Sequence, residues 1–390
     1  MSNTESHFTS VEICAGAGGQ AVGLHAAGFR HRALIEIDEH ACATLEHNVK
    51  NLAWGACEVM KQDLTQLDPA DLKQTLGLED GQLDLLAGGV PCPPFSAAGK
   101  QLGEDDERDL FPAMLGLVDE LKPKAVMIEN VRGLLSPPDK FRSYRDKIVS
   151  RLHEAGYVVC KWDLLEAWHY GVPQLRPRAI LVAMQPEFKP YFVWPGPDDE
   201  AVKQIPRRTV GEALEKTMRA RFEASGDSRA DTAFKNWYEK AVTDIAPTLV
   251  GGSKKHGGAD LGPTRAKKTW EKLGVDGLGV ANDPENLTDA ERDLFGDRGP
   301  KLTVRQAAII QGFPESWVFI GGKTAAYRQV GNAFPPPVAE AVGNRIAAAL
   351  RKDPVQTLGD PSGTSEAALS TLPRAPLTHG SSDLESARLW

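Results

Sequence analysis

The chain has 390 residues, 41% hydrophobic and 25% charged, which suits one large or two smaller folded domains with a substantial core. A net charge of -8 excludes a uniformly basic surface, yet residues 203–272 hold 15 Lys and Arg against 9 Asp and Glu, so a local phosphate-binding region stays open. The five cysteines, Cys14, Cys42, Cys57, Cys92 and Cys160, form no CxxC pair or Cys/His ladder, the first residues show no basic-then-apolar pattern, and no apolar run of about 18 residues occurs.

Residues 8–14 (FTSVEIC) predict a strand, followed by a Gly-rich turn at 15–19 and a helix over 20–27. Residues 33–37 predict a second strand and 39–48 a second helix. Further strands are expected at 83–87, 124–128, 157–165 and 178–184, with a short one ahead of Asp63. Strands alternating with helices imply a mostly parallel, doubly wound α/β sheet, in which ligands sit at the carboxyl ends of strands. Residues 186–300 are rich in Gly, Pro and charge, show little periodicity, and include a long basic loop at 251–268. Helical patterning returns at 303–310 and 337–350, and the Ser/Thr/Pro/Gly-rich residues 353–390 predict a disordered tail.

The chemistry concentrates at the strand ends. EICAGAGG (residues 12–19) lets backbone approach a ligand at a helix N-terminus, although such a turn alone is also an ordinary tight turn. Glu36 ends the second strand, where a carboxylate can accept from a ribose diol, and Asp63 is placed to receive an adenine amino group. Each alone reads more readily as a solvated carboxylate; together with the Gly-rich turn they read as a nucleoside-cofactor site. GGVPCPPFS (residues 88–96) sets Cys92 between prolines after a Gly-Gly turn. A lone cysteine is usually a small buried hydrophobe, but one stiffened in this way reads as a positioned nucleophile. Glu129, in IENV, ends another apolar strand, where burial would raise its pKa and suit it to donate a proton; the alternative is a helix cap. In QLRPR (residues 174–178), Arg176 and Arg178 are two apart, so on a strand both would share one face and suit an anionic ligand.

The order AGAGG, EID, VPCPPFS, ENV, QLRPR, then LTVRQAAIIQGFP (302–314) and YRQVGNAFPPPVA (327–339), resembles the DNA cytosine-C5 methyltransferases, particularly those of bacterial restriction-modification systems. The resemblance runs from about Phe8 to Ala349. It implies a Rossmann-like, S-adenosylmethionine-dependent methyltransferase sheet built from residues 1–186 and a returning helix within 326–352, with a target recognition domain inserted at 187–325. It implies Cys92 as nucleophile at cytosine carbon 6, Glu129 at ring nitrogen 3, Arg178 at the ring carbonyl, and Arg176 supporting a phosphate or the thiolate. Cofactor contacts would come from Cys14, Ala15, Gly16, Gly18, Gly19, Glu36, Ile37, Asp63, Leu64, Pro91, Asn332 and Ala333. DNA contacts would come from Ser96, Gln174, Lys254, Lys255, Arg265, Lys267 and Lys268. The first block reads Glu12-Ile13-Cys14 where Asp-Leu-Phe is common, so the aromatic contact to adenine is missing, and Pro93 stands where many members have Gln.

The expected reaction is methyl transfer to carbon 5 of cytosine in a short site of double-stranded DNA, leaving S-adenosylhomocysteine and using no metal. A monomeric bacterial cytoplasmic enzyme, nucleoid-associated through DNA and paired with an endonuclease on the same site, is expected. An RNA cytosine-C5 methyltransferase would share the catalytic residues, but the long basic insert favours DNA. A binding protein that has lost catalysis is disfavoured because Cys92, Glu129, Arg176 and Arg178 are all present. A nucleotide-binding oxidoreductase would need Gly where Ala21 completes the turn.

Overall fold

Runs of Val, Ile, Leu and Ala with no polar alternation suit strands covered on both faces. The computed structural model describes residues 7–90, 109–251 and 259–355 and shows such a sheet, of seven strands in the order β3-β2-β1-β4-β5-β7-β6. The strands are β1 (Phe8–Ile13), β2 (Phe29–Glu36), β3 (Glu58–Lys61), β4 (Leu85–Gly89), β5 (Ala125–Val131), β6 (Val158–Glu166) and β7 (Pro177–Met184). Neighbours from β3 to β5 pair in parallel, whereas β7 runs antiparallel to both β5 and β6. That reversal is decisive for the site. The start of β7 lies beside the end of β5, with Val131 opposite Arg178.

The helices are α1 (Gly19–Ala26), α2 (Glu39–Asn51), α3 (Pro69–Thr75), α4 (Phe111–Leu121), α5 (Arg142–Glu154), α6 (Glu200–Lys203), α7 (Val210–Ala224), α8 (Ala230–Ala241), α9 (Thr264–Lys272), α10 (Ala290–Asp293), α11 (Val304–Gln311), α12 (Lys323–Asn332) and α13 (Pro336–Arg351). On one sheet face α1 and α13 bury Leu24, Val338, Val342 and Ile346 with Leu85, Ala87, Met127 and Val182. On the other, α3, α4 and α5 bury Leu72, Met114, Val118, Ile148 and Leu152 with Val11, Leu86, Val126 and Leu181. The returning C-terminal helix therefore packs on α1 and the sheet, and all these elements belong to one unit, Met1–Pro354.

The stretch after Pro186 departs from expectation. Its regular elements among the described residues are helices, and its core of Val210, Leu214, Met218, Phe222, Phe234, Trp237 and Trp270 is continuous with Ala15, Leu34, Leu45 and Trp54. A Thr209–Glu212 capping box starts α7. The basic loop expected at 251–268 also ends early, because α9 begins at Thr264 and is anchored by fully buried Trp270. Among the described residues no helix is long and apolar enough to cross a membrane. The expected tail from residue 356 onward lies outside the described residues.

Candidate active site

Beyond Ile13 the backbone turns through left-handed conformations at Cys14 (φ 49°), Gly16 (φ 54°) and Gly18 (φ 87°). The turn is fastened to the tip of β2, where the Glu36 carboxylate accepts the Gly16 N–H at 2.7 Å and those of Ile37 and Asp38 at 2.9 Å. Three backbone donors fix a nearly buried carboxylate. A Cβ on Gly16 would meet nothing within 4 Å, so open space adjoins the carboxylate. Ile37, beside it, is 60% exposed.

Asp63 is brought to the same place because the Gln62 N–H donates to the Glu36 carbonyl at 2.9 Å. Its Oδ1 accepts the backbone N–H and hydroxyl of Thr65, which lower its pKa, and Leu64 is buried next to it. Burial pushes the Cys14 thiol up to about 12, with Glu36 and Glu12 adding to the shift. Ala333 and Phe334 close the other side, since a Cβ on Gly19 would lie 2.1 Å from the Phe334 carbonyl oxygen and 3.2 Å from the Ala333 Cβ. Trp317 covers the turn and donates its indole N–H to the Ala17 carbonyl at 3.0 Å. The structure thus gathers around one turn the residues expected to hold a nucleoside cofactor, except Asn332, whose Oδ1 lies beside Gly251, and Pro91, which lies outside the described residues.

The second cluster sits along the same sheet edge. β5 extends two residues past Glu129, and antiparallel pairing carries Arg178 to it. Arg178 Nε lies 2.7 Å from Glu129 Oε1, with both side chains largely enclosed. Burial raises the Glu129 pKa, and the Arg178 and Arg176 guanidiniums partly offset the rise. Asn130 donates from Nδ2 to the Val90 carbonyl at 3.0 Å, tying the end of β5 to the strand end that leads to Cys92. A Cβ on Gly89 would lie 3.1 Å from Glu129 Oε2, so the carboxyl group reaches over that same strand end. Cys92 and Ser96 lie outside the described residues.

Residues 8–348 match the family model of the C-5 cytosine-specific DNA methylases. The chain belongs to that family. Membership and fold imply S-adenosylmethionine as methyl donor and DNA as substrate, and the chain is a cytosine-C5 methyltransferase. It is 52% identical over 88% of its length to the Type II methyltransferase M.NaeI of Lentzea aerocolonigenes, covering 75% of that protein. It is 47% identical over 89% of its length to M.NgoMIV of Neisseria gonorrhoeae, covering 99% of it. A solved DNA modification methyltransferase encoded by an Escherichia coli prophage shares the fold at a TM-score of 0.58 and 22% identity, over 88% of this chain and 99% of that one.

Two expected methylase site residues are placed differently. Gln174, expected at DNA, is fully buried: its Oε1 accepts the Leu249 N–H at 2.8 Å, and its Nε2 donates to Gln311 Oε1 at 2.7 Å. Arg176 precedes β7, so the strand alternation that would put it on one face with Arg178 does not apply. It is 1% exposed, and its terminal nitrogens donate to the carbonyls of Leu249, Gly331 and Ala333 at 2.6, 2.8 and 2.9 Å. A guanidinium occupied in this way supports other segments rather than a phosphate or the thiolate.

Arg265 and Lys268 are exposed on α9, while Lys267 pairs with Asp260 at 2.7 Å. Lys254 and Lys255 lie outside the described residues. Sequence reasoning passed over Asn130, Trp317 and Glu166. Glu166 ends β6 opposite Pro177 with a buried oxygen that has no hydrogen-bond partner among the described residues, and burial raises its pKa against the pull of Arg132 and Arg178. Asn130 stood in the ENV motif beside Glu129, so its signal was present; the other two depend on tertiary contacts.

Proposed function

We propose that this chain is the modification enzyme of a Type II restriction-modification pair, methylating one cytosine in a short duplex DNA site through a covalent adduct of Cys92 on a flipped-out base. The buried Glu129–Arg178 pair, aimed over the strand end that leads to Cys92, carries this reading. The Type II names of two relatives that match nearly nine-tenths of the chain support the biological setting.

Carbon 5 of cytosine is a poor nucleophile, and addition of a thiolate at carbon 6 turns the ring into an enamine. Cys92 makes that addition. Glu129, held toward its protonated form by burial, gives a proton or hydrogen bond to ring nitrogen 3, so negative charge does not accumulate on the ring. Arg178 has Nε on Glu129 and Nη1 on the Pro177 carbonyl, which leaves Nη2 for the ring carbonyl. S-adenosylmethionine supplies the electrophilic methyl group. Carbon 5 takes that methyl, a base removes the carbon 5 proton, and the bond from Cys92 to carbon 6 breaks to return the thiolate. Extrusion of the base costs a few kcal/mol, offset by contacts to the duplex.

Glu36 fits the ribose diol, Ile37 the adenine face and Asp63 its amino group, with Cys14, Ala15, Gly16, Gly18, Gly19, Leu64, Pro91, Asn332 and Ala333 completing the pocket. The open space beside Gly16 supports this fit. Residues 187–325 form the target recognition domain, inserted into a catalytic domain made of 1–186 and 326–352. DNA contacts come from Arg265, Lys267 and Lys268 on α9 and from Lys254, Lys255 and Ser96. The enzyme works without metal as a monomer in the bacterial cytoplasm, leaves S-adenosylhomocysteine, and shares its site with a cognate endonuclease.

Tritiated methyl transfer to unmethylated duplex DNA, wild type beside Cys92→Ala, with bisulfite sequencing of the product, tests the proposal. Methylation at one short motif, abolished in the variant, is expected. Transfer that survives the substitution would overturn the covalent mechanism.

A further inference from the structure

Carboxylates and guanidiniums gather where β5, β6 and β7 end or begin at the active edge. Glu129 on β5 pairs with Arg178 on β7 at 2.7 Å, and Arg176 adds its field to Glu129 from its seat among three carbonyls. Glu166 is the second carboxylate. It ends β6 opposite Pro177, one position beyond the Leu165–Arg178 pair, and β7 lies between its strand and that of Glu129. Its Oε2 is buried and has no hydrogen-bond partner among the described residues. A buried carboxylate oxygen without a donor is costly unless a cation nearby compensates it. Arg178 and Arg132, which follows β5, are those cations, and both oppose the rise that burial gives the Glu166 pKa. Burial in turn lowers the Arg178 pKa, and Glu129 and Glu166 together oppose that. The Tyr327 phenol stands near Arg176, and burial raises its pKa.

This arrangement meets a charge problem in the reaction. Glu129 can give a proton only when it is neutral, and a neutral Glu129 leaves the largely enclosed Arg178 without its ion-pair partner. We propose that Glu166 is a positioning residue that stays anionic and balances Arg178 while Glu129 carries the proton, so that acid and guanidinium reach the cytosine ring in their working forms together. This rests on the reading of Glu129 as the acid. Two carboxylates that share one guanidinium titrate as a pair, and protonation of one is favoured while the other keeps its charge. Arg132 and Arg176 are cations and cannot fill that role.

The test is the pH dependence of single-turnover methyl transfer, at saturating S-adenosylmethionine and a duplex carrying the motif found by bisulfite sequencing. In the wild type the alkaline limb follows loss of the Glu129 proton. Glu166→Gln keeps the side chain's size and removes its charge. Arg178 then favours ionised Glu129, so the Glu129 pKa falls and the limb is expected about one pH unit lower. On the alkaline side the variant should trail wild type about tenfold, and the gap should close as pH falls. Glu166→Asp keeps the charge but draws it back by one methylene; it should move the limb the same way by less, and it decides the matter if the glutamine variant does not fold. A merely structural role lowers the rate by one factor at every pH. A limb that stays in place, or moves upward, overturns the proposal. Glu129→Gln is measured alongside and should be slow, with no such limb. A Glu129→Gln rate near wild type would instead overturn the reading of Glu129 as the acid, so the two failures are distinct.

Discussion

The carboxyl edge of the sheet and the segment 187–325 are held together in different ways. At the edge, a few polar side chains take their places from strand register: Val131 opposite Arg178 sets Glu129 within 2.7 Å of the guanidinium. In the segment, order comes from dispersed aromatics, with Phe222, Phe234, Trp237 and Trp270 sharing one core. Register is local and periodic, so it fixes chemistry with few residues. Aromatic packing is non-local and fixes shape with many. Substitutions at the edge should therefore cost activity, and substitutions in the segment should cost stability.

The largest effect is expected at the edge. Glu129→Gln keeps an acceptor for Arg178 but removes the acid, and the rate of methyl transfer at saturating DNA is predicted to fall about 10²–10⁴-fold. Because the Glu129 pKa is raised, the wild-type acid stays protonated to higher pH than a free glutamate, and it is lost as pH rises through the folded value. Transfer within a few-fold of wild type would remove Glu129 from the chemistry and undo the comparison on that side.

Next comes the segment's core. Trp270 is fully buried and its indole N–H has no hydrogen-bond partner among the described residues, so its contribution is apolar packing. Trp270→Ala should cost about 3–5 kcal/mol in denaturant unfolding. Since the cluster runs on into Leu34, Leu45 and Trp54, the loss should appear in a single transition shared with the sheet. A separate early transition would show that the segment folds independently.

The same contrast governs what the sequence made legible. The central strands β4 and β5 were readable as apolar runs because buried parallel strands need them, β2 was readable only from Ala33 because polar FRHR precedes its apolar part, and Glu36, Glu129 and Arg178 were readable because strand tips place them. Arg176 was misread because the strand starts one residue later, at Pro177, and period two cannot be carried across that boundary. Gln174 looked like a DNA contact, yet its amide bonds to Leu249 and Gln311, residues far away in the chain, which no local pattern reveals. The helices between Pro186 and residue 300 carried local signals such as the Thr209–Glu212 box, but their apolar residues answer to partners elsewhere.

Between the two regions lies an aromatic seam: His25 stacks on Trp54 at 4.2 Å, and His31 and Trp317 lie tilted against Trp54 at 5.1 and 5.3 Å. The Ala21 carbonyl can only accept, so His31 carries its proton on Nε2 and takes the Ser10 hydroxyl on Nδ1. Burial, with the neighbouring His25, lowers its pKa from 6.5 to about 3. Burial, with Arg30, lowers His25 from 6.5 to about 4. A folded value below the unfolded one means the contribution is complete above about pH 6.5 and is lost as pH falls. For His31 the loss between pH 6.5 and 4 should be about 3 kcal/mol. Unfolding free energies measured across that range should flatten in His31→Gln, and an unchanged slope would clear the seam of any part in acid sensitivity.

The smallest effect is predicted at the start of α7, where the segment relies on local rather than tertiary order. The Glu212 carboxylate accepts the Thr209 backbone N–H at 2.7 Å, and the Glu212 N–H donates back to the Thr209 hydroxyl at 3.3 Å. These bonds hold Glu212 below the ordinary glutamate pKa and satisfy donors that a helix N-terminus leaves open. Thr209→Ala should cost about 1 kcal/mol at neutral pH, and less in acid, where protonation of Glu212 weakens the return bond in the wild type as well. Methyl transfer by the folded variant should match wild type, because the cap touches neither sheet edge nor cofactor turn. A fall in transfer without a fall in stability would place α7 in contact with the chemistry and collapse the division between an edge that reacts and a segment that shapes.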